Sequence, residues 1–273
     1  MQIPAQGPVV VGVDGTPAAL TAVRLAAREA ASRRRVLHIV HAFTWPDGAD
    51  FTAARRAASR FVEEAVTTAQ RSTPGVEARG QLVDGPPGRV LLRLSRGAVL
   101  LAIGEVMPGS PLVEVVSRAW CPVAVTHGPR PPTGPVLAAL DGSAYSVLAL
   151  RFAAEEAVRR GGAVHAVHVT AEGGDAAERL LDEALAAVPE ILGVRVKRRI
   201  VLGSAPEALP RLSRRAGLTV LGPRGARSGV HLGTVAGEVL RRGSGPAVFV
   251  HAARSPSRRV PPPPARPAGA ARR

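Results

Sequence analysis

Near the end of the chain, Gly222-Pro223-Arg224-Gly225 is followed, after the seven residues 226–232, by Gly233-Thr234 at the head of a helical pattern. Glycine lets a main chain approach phosphate oxygens closely. A helix start adds N–H groups without intrahelical acceptors and the positive end of the helix dipole. The chemistry on offer is an anion cradle, to which Arg224 and Arg227 could add charge. Two more positions point to the same place: Asp141, which closes a strand ahead of Gly142-Ser143, and Val169, which ends the next strand. In an open parallel sheet the carboxyl ends of strands converge on one crevice. Each signal also has a plain reading, the glycines as ordinary turns and the aspartate as a helix N-cap.

Other chemistries lack their residues. His38 and His41 are three apart on a strand and face opposite sides of the sheet, as do His165 and His168, so neither pair can chelate a metal. There is no Gly-x-Ser-x-Gly elbow and no lysine-bearing phosphate loop, which leaves hydrolase and kinase readings without nucleophile or clamp. Slow ATP hydrolysis would need a base near the loop, and none is identifiable. The single cysteine, Cys121, excludes an intrachain disulfide and reads as a small hydrophobe.

The elements that must position these residues are written twice. Residues 9–16 read VVVGVDGT and 136–143 read VLAALDGS, an offset of 127 that also carries Glu29 to Glu156 and His41 to His168. The offset falls to 118 at Gly104 and Gly222, then rises to 124 at Pro122 and Pro246, as loop drift after a tandem duplication would leave it. In the first copy, strands are predicted at 9–13, 36–42, 76–83, 98–103 and 122–126, with helices at 16–32, 51–72, 88–96 and 112–118. The second copy repeats this from 136 to 250. Continuous Val/Leu runs indicate strands buried on both faces. On helix 144–160, Val147, Leu150, Ala154, Ala157 and Val158 form the expected inward stripe. The fold class is therefore α/β, with two tandem doubly wound five-stranded parallel-sheet domains at 9–127 and 136–252. An N-terminal extension (1–8), a proline-rich linker (128–135) and a basic, proline-rich tail (253–273) complete the chain.

Of its 273 residues 46% are hydrophobic and 21% charged, a globular balance, while aromatics make up only 3%. The longest apolar run, 98–103, is far short of a bilayer-spanning helix, and no secretory leader is evident. A soluble cytoplasmic protein is the expectation. The formal charge of +15 looks like a nucleic-acid signature, but Lys197 is the only lysine, and six arginines lie in the tail without an acidic partner. That placement argues against nucleic acid as the primary partner and leaves a polyanion-attracting surface open.

The two DGT/DGS strand ends, the histidine-bearing second strands, the GPRG…GT loop and the closing strands after Cys-Pro or Gly-Pro resemble the universal stress protein family, specifically its tandem-domain members, over residues 9–250. The resemblance implies a Rossmann-like fold of the adenine nucleotide alpha hydrolase type, with strand order 3-2-1-4-5 and halves paired through their last strands. Further dimerisation of the whole chain is compatible with it. It implies a non-enzymatic stress-response protein that binds ATP, with Asp141 and Val169 on the adenine side and Gly222, Arg224, Gly225, Gly233, Thr234 and Val235 around ribose and phosphates. The family pattern is glycine, two residues, glycine, nine residues, glycine and serine or threonine; here the second copy has seven residues in place of nine. In the first copy Met107 replaces the second glycine, only Pro108 precedes Gly109-Ser110, and Glu105 sets a carboxylate beside any phosphate. The first copy is therefore expected to have lost its hollow and to be a structural partner, with ATP in the second domain alone. The alternative is a nucleotide-free scaffold acting through protein or polyanion contacts.

Overall fold

The computed structural model describes residues 6–45, 48, 50–105, 110, 112–128, 133–224 and 232–251. The tail 253–273 and linker residues 129–132 lie outside them. The first half runs β1 (Val9–Gly12), α1 (Pro17–Arg33), β2 (Leu37–Phe43), α2 (Phe51–Ser72), β3 (Ala78–Asp84), α3 (Pro87–Leu94), β4 (Leu100–Ile103), α4 (Leu112–Arg118) and β5 (Val123–Val125). The second runs β6 (Val136–Leu140), α5 (Ala144–Arg160), β7 (Ala163–Thr170), α6 (Asp175–Ala186), a 3-10 turn (Pro189–Gly193), β8 (Arg195–Leu202), α7 (Ala205–Ser213), β9 (Leu218–Leu221), α8 (Thr234–Arg242) and β10 (Ala247–Phe249).

Alternation along the central strands sorts the core into two layers. Val9 and Val11 face α1 and α2, whereas Val10 faces the layer built on α3 and α4. The stripe read on α5 holds for Leu150, Ala154 and Ala157, which are buried, but Val158 is 65% exposed. At about 100° per residue, Val158 turns off the axis that Ala157 keeps.

The Asp-Gly-Thr and Asp-Gly-Ser turns are built alike. Gly15 and Gly142 have φ of 82° and 77°, a region that side chains disfavour. Thr16 and Ser143 then cap α1 and α5, each hydroxyl accepting an N–H three residues on at 3.2 Å. The helix ends differ. Gly161 closes α5 in the left-handed region, whereas Arg34 closes α1 there with φ of 53°. Replacing Arg34 with glycine is expected to raise stability by about 1 kcal/mol, measured as a higher urea midpoint at unchanged slope.

All ten strands form one sheet in the order β3-β2-β1-β4-β5-β10-β9-β6-β7-β8. Every pairing is parallel except the seam, where β10 runs antiparallel to β5 with Val248 opposite Ala124. The seam covers two edges that would otherwise be open to aggregation. On one side of it α1 and α5 bring Glu29, Arg33, Glu156 and Arg160 together: Arg33 pairs with both glutamates, and Arg160 reaches Glu29 at 2.7 Å and Glu156 at 3.1 Å. Elsewhere along the seam, buried His127 contacts Leu240 O at 2.8 Å and buried His251 contacts Val116 O at 2.9 Å, each reaching a helix of the other half. None of the described helices is long and apolar enough to cross a membrane.

Candidate functional site

The carboxyl ends of β6, β7 and β9 and the starts of α5, α7 and α8 enclose a hollow of about 380 Å³, within the range of small-molecule sites. It brings together Asp141, Val169, Gly222, Arg224, Gly233, Thr234 and Val235. Gly225 lies outside the described residues, as does Arg227. The walls are apolar, and two of them, Ala205 and Leu209, come from α7. Nothing in the sequence marked these two, because an inward helical stripe looks the same whether it meets core or cavity.

One oxygen of Asp141 is already employed. Its Oδ1 accepts from Ser143 N–H at 3.0 Å and from Ser143 Oγ at 2.6 Å, so the aspartate braces the capping residue while Ser143 itself is the N-cap. Gly222 also has a packing reason to be glycine: a Cβ there would lie 2.6 Å from Tyr145 Cβ, in the first turn of α5. Gly104 meets the equivalent limit 3.0 Å from the backbone of Ala18 and Ala19. The first glycine of each loop is thus required by strand-to-helix packing whether or not a phosphate binds.

The start of α8 is different. Its N-cap is Gly233, which offers no side-chain cap. The Gly233 N–H donates to Pro223 O at 2.9 Å, which fastens the base of the loop, and the Gly237 N–H closes the first turn at 2.8 Å. The N–H groups of Thr234, Val235 and Ala236 lie ahead of that bond, in the part of a helix that has no intrahelical acceptors, and these residues line the hollow.

Arg224 lines the same hollow, yet its guanidinium leaves it. Nη2 donates to Ser117 O at 2.8 Å, across the seam in the last turn of α4. The terminal carbonyls of a helix lack intrahelical donors and carry the negative end of its dipole, so they compete well for a cation. The charge expected beside a phosphate is committed to joining the halves.

The expectation that the first half has lost its hollow is corrected by the structure. A hollow of about 260 Å³ remains there, lined among others by Asp14, Thr16, His41, Gly104, Glu105 and Ser110. It survives the shortened loop because strand ends and the flanking helices α1 and α3 form most of it. Its helix start is closed, however: Ser110 Oγ accepts the Leu112 N–H at 3.2 Å, where Gly233 leaves α8 uncapped.

The remaining candidates have structural roles. His41 Nδ1 bonds Val13 O, just past the end of β1, and His168 Nδ1 bonds Leu140 O, the last residue of β6, each at 2.8 Å. Burial pushes the Cys121 thiol up to about 12, which keeps it protonated and unreactive. Among the described residues no group of histidine, cysteine or carboxylate side chains could hold a metal ion.

Two doubly wound halves joined edge to edge, each with a hollow at the carboxyl ends of its strands, define a duplicated Rossmann-like protein. The sequence model of the Universal stress protein family matches residues 7–127 and again 133–251, and the chain belongs to that family. Universal stress protein Rv2623 of Mycobacterium tuberculosis is 31% identical over 273 aligned positions, covering 85% of this chain and 90% of its own. A universal stress protein from Archaeoglobus fulgidus DSM 4304 shares the fold with a TM-score of 0.73 at 21% identity, over 90% of this chain and 98% of its own. A second universal stress protein from Archaeoglobus fulgidus, solved in complex with dAMP, is 23% identical and covers 44% of this chain and 98% of its own, with a TM-score of 0.40.

Proposed function

We propose that the chain is a non-catalytic stress-response protein whose second half binds one adenine nucleotide, with ATP as the first ligand to test. The first half serves as its structural partner. The observation that carries this reading is the start of α8, whose N-cap Gly233 has no side chain to cap it, on the rim of a 380 Å³ apolar hollow. A flat base would lie between the apolar walls beside Asp141 and Val169, and phosphates would meet the N–H groups of Thr234, Val235 and Ala236. Gly222 and Gly233 keep side chains out of that path. Asp141 is the only carboxylate lining the hollow among the described residues, and its Oδ1 is tied to Ser143, which supports binding without hydrolysis.

Calorimetric titration of the whole chain with ATP tests the reading. The expected result is saturation near one nucleotide per chain. Val169→Trp, which fills the hollow, should abolish the heat while leaving the circular dichroism unchanged, and Asp141→Ala should weaken binding by about tenfold or more, roughly 1.4 kcal/mol. Absence of heat with the native chain, or unchanged heat with Val169→Trp, would overturn the proposal and favour a nucleotide-free scaffold.

A further inference from the structure

The hollow of the first half differs from that of the second in the charge it presents. Asp14 and Glu105 line it, and among the described residues no lysine or arginine does. In the second hollow Asp141 is the one lining carboxylate among the described residues, and Arg224 lines that hollow with its guanidinium turned away to Ser117 O. Asp14 Oδ1 is bound by Thr16 N–H and Oγ at 3.0 and 2.6 Å, and Oδ2 remains for a ligand. His41 lines it too, with its Nδ1 against Val13 O at 2.8 Å. With the α4 start closed by Ser110, the described lining presents acceptors where a phosphate would need donors.

An independent observation lies beside it. The chain has eight aromatic residues, and four of them, Phe43, Trp45, Phe51 and Phe61, gather at the carboxyl end of β2 and the α2 helix above it. Ala42 lines the hollow, and Trp45 follows three residues later, within about 10 Å along an extended chain. The Phe61 ring packs edge-on against the His41 ring at 5.6 Å. Trp45 and Phe51 contact each other at 5.6 Å and are 58% and 46% exposed. The second half has no counterpart: β7 ends in Val169-Thr170 and α6 opens on Asp175. This cluster already holds a cation. The Arg55 guanidinium lies 5.5 Å above Phe43 and 5.9 Å above Phe51, and pairs with Asp84 at 2.7 Å. Aromatic faces beside carboxylates are the usual setting for guanidinium and ammonium groups.

We propose that the first hollow is a binding site for a small organic cation, an amine or guanidinium carried on an apolar body, with Asp14 and Glu105 as its counter-charges and Trp45 and Phe51 at its mouth. The two halves would then hold ligands of opposite sign, the second an anion on helix N–H groups and the first a cation on carboxylates and rings.

The test uses the full chain and agmatine, which carries a guanidinium and an ammonium on a four-carbon chain, followed by calorimetry and tryptophan emission. Agmatine should bind with a dissociation constant below about 1 mM. Glu105→Gln and Trp45→Ala, both at exposed side chains, should each weaken it at least about fivefold. Val169→Trp, in the other hollow, should leave it unchanged, as should saturating ATP. Adenosine, of similar size but uncharged, should bind at least about tenfold more weakly. The proposal is overturned by absence of agmatine binding, by equal affinity in Glu105→Gln, by displacement with ATP, or by adenosine matching agmatine. The Val169→Trp arm keeps this outcome separate from the fate of nucleotide binding in the second half.

Discussion

Replacing Glu156 with alanine is expected to lower the unfolding free energy by about 3–5 kcal/mol, the usual cost of removing one partner of a buried ion pair. Glu156 is 1% exposed and meets Arg33, Arg159 and Arg160, which belong to both halves of the chain. Burial alone would raise its carboxyl, but those three guanidiniums outweigh it and hold Glu156 below the ordinary range. Glu29, its partner across the pseudo-two-fold, is pushed the other way by burial and then by the Glu156 carboxylate. The variant therefore leaves Arg33 and Arg160 at the seam with Glu29 as the one remaining carboxylate that joins them. Denaturant unfolding should show the lower midpoint, with separate transitions for the halves if the seam opens first. A quadruple change of Glu29, Arg33, Glu156 and Arg160 to leucine or methionine should recover most of the loss, since desolvation and attraction largely cancel in such clusters. If Glu156→Ala unfolds within about 1 kcal/mol of the native chain, the cluster is a solvated ornament and not part of the seam.

Much of this architecture could be read in advance. The element order, the duplication and most strand limits follow from Val/Leu runs and glycine punctuation, because burial on both faces leaves few other residues for those positions. Strand 98–103 shortens to Leu100–Ile103 and 76–83 shifts to Ala78–Asp84, differences of pairing at frayed ends. The recurrence of Glu29 at Glu156 was visible as an offset, but not that a two-fold seam would bring the two face to face. Side-chain direction was equally hidden. Arg224 reads as a phosphate ligand in a loop, and only the packed α4 reveals a nearer acceptor in Ser117 O. The survival of the first hollow is not legible in the loop motif, because α1 and α3 supply its walls.

The seam also ties each hollow to the opposite half. Helix α8 starts at the second hollow and is held near its other end by His127; α4 starts at the first hollow and is held by His251 and Arg224. The same residues that join the halves thus fix the helix starts at which ligands of either half would bind. That arrangement gives a physical reason for the halves to be retained together even if only one of them holds a nucleotide.

His251 makes this seam sensitive to acid. Burial, and to a lesser degree Arg224, brings its imidazole down to about 4, against the bond to Val116 O, which favours the charged form. The geometry agrees: Nε2–H donates to Val116 O, while Nδ1 is buried without a hydrogen-bond partner. In the unfolded chain the same ring takes up a proton near pH 6.5. Between about pH 6.5 and 4 the unfolded state binds more protons than the folded one, so stability falls as pH falls through that window. The full span corresponds to about 3 kcal/mol, reached only below the folded value. Urea midpoints measured from pH 7.5 to 4 should therefore drop more steeply for the native chain than for His251→Gln, whose amide can still donate to Val116 O but does not titrate. Glu156 is held below the ordinary carboxylate range and Glu29 above it, but both are common to the two proteins, so the difference between their curves isolates the histidine. Parallel curves for the two proteins between pH 6.5 and 5 would show that His251 is solvated or exchanges its proton freely in the folded state.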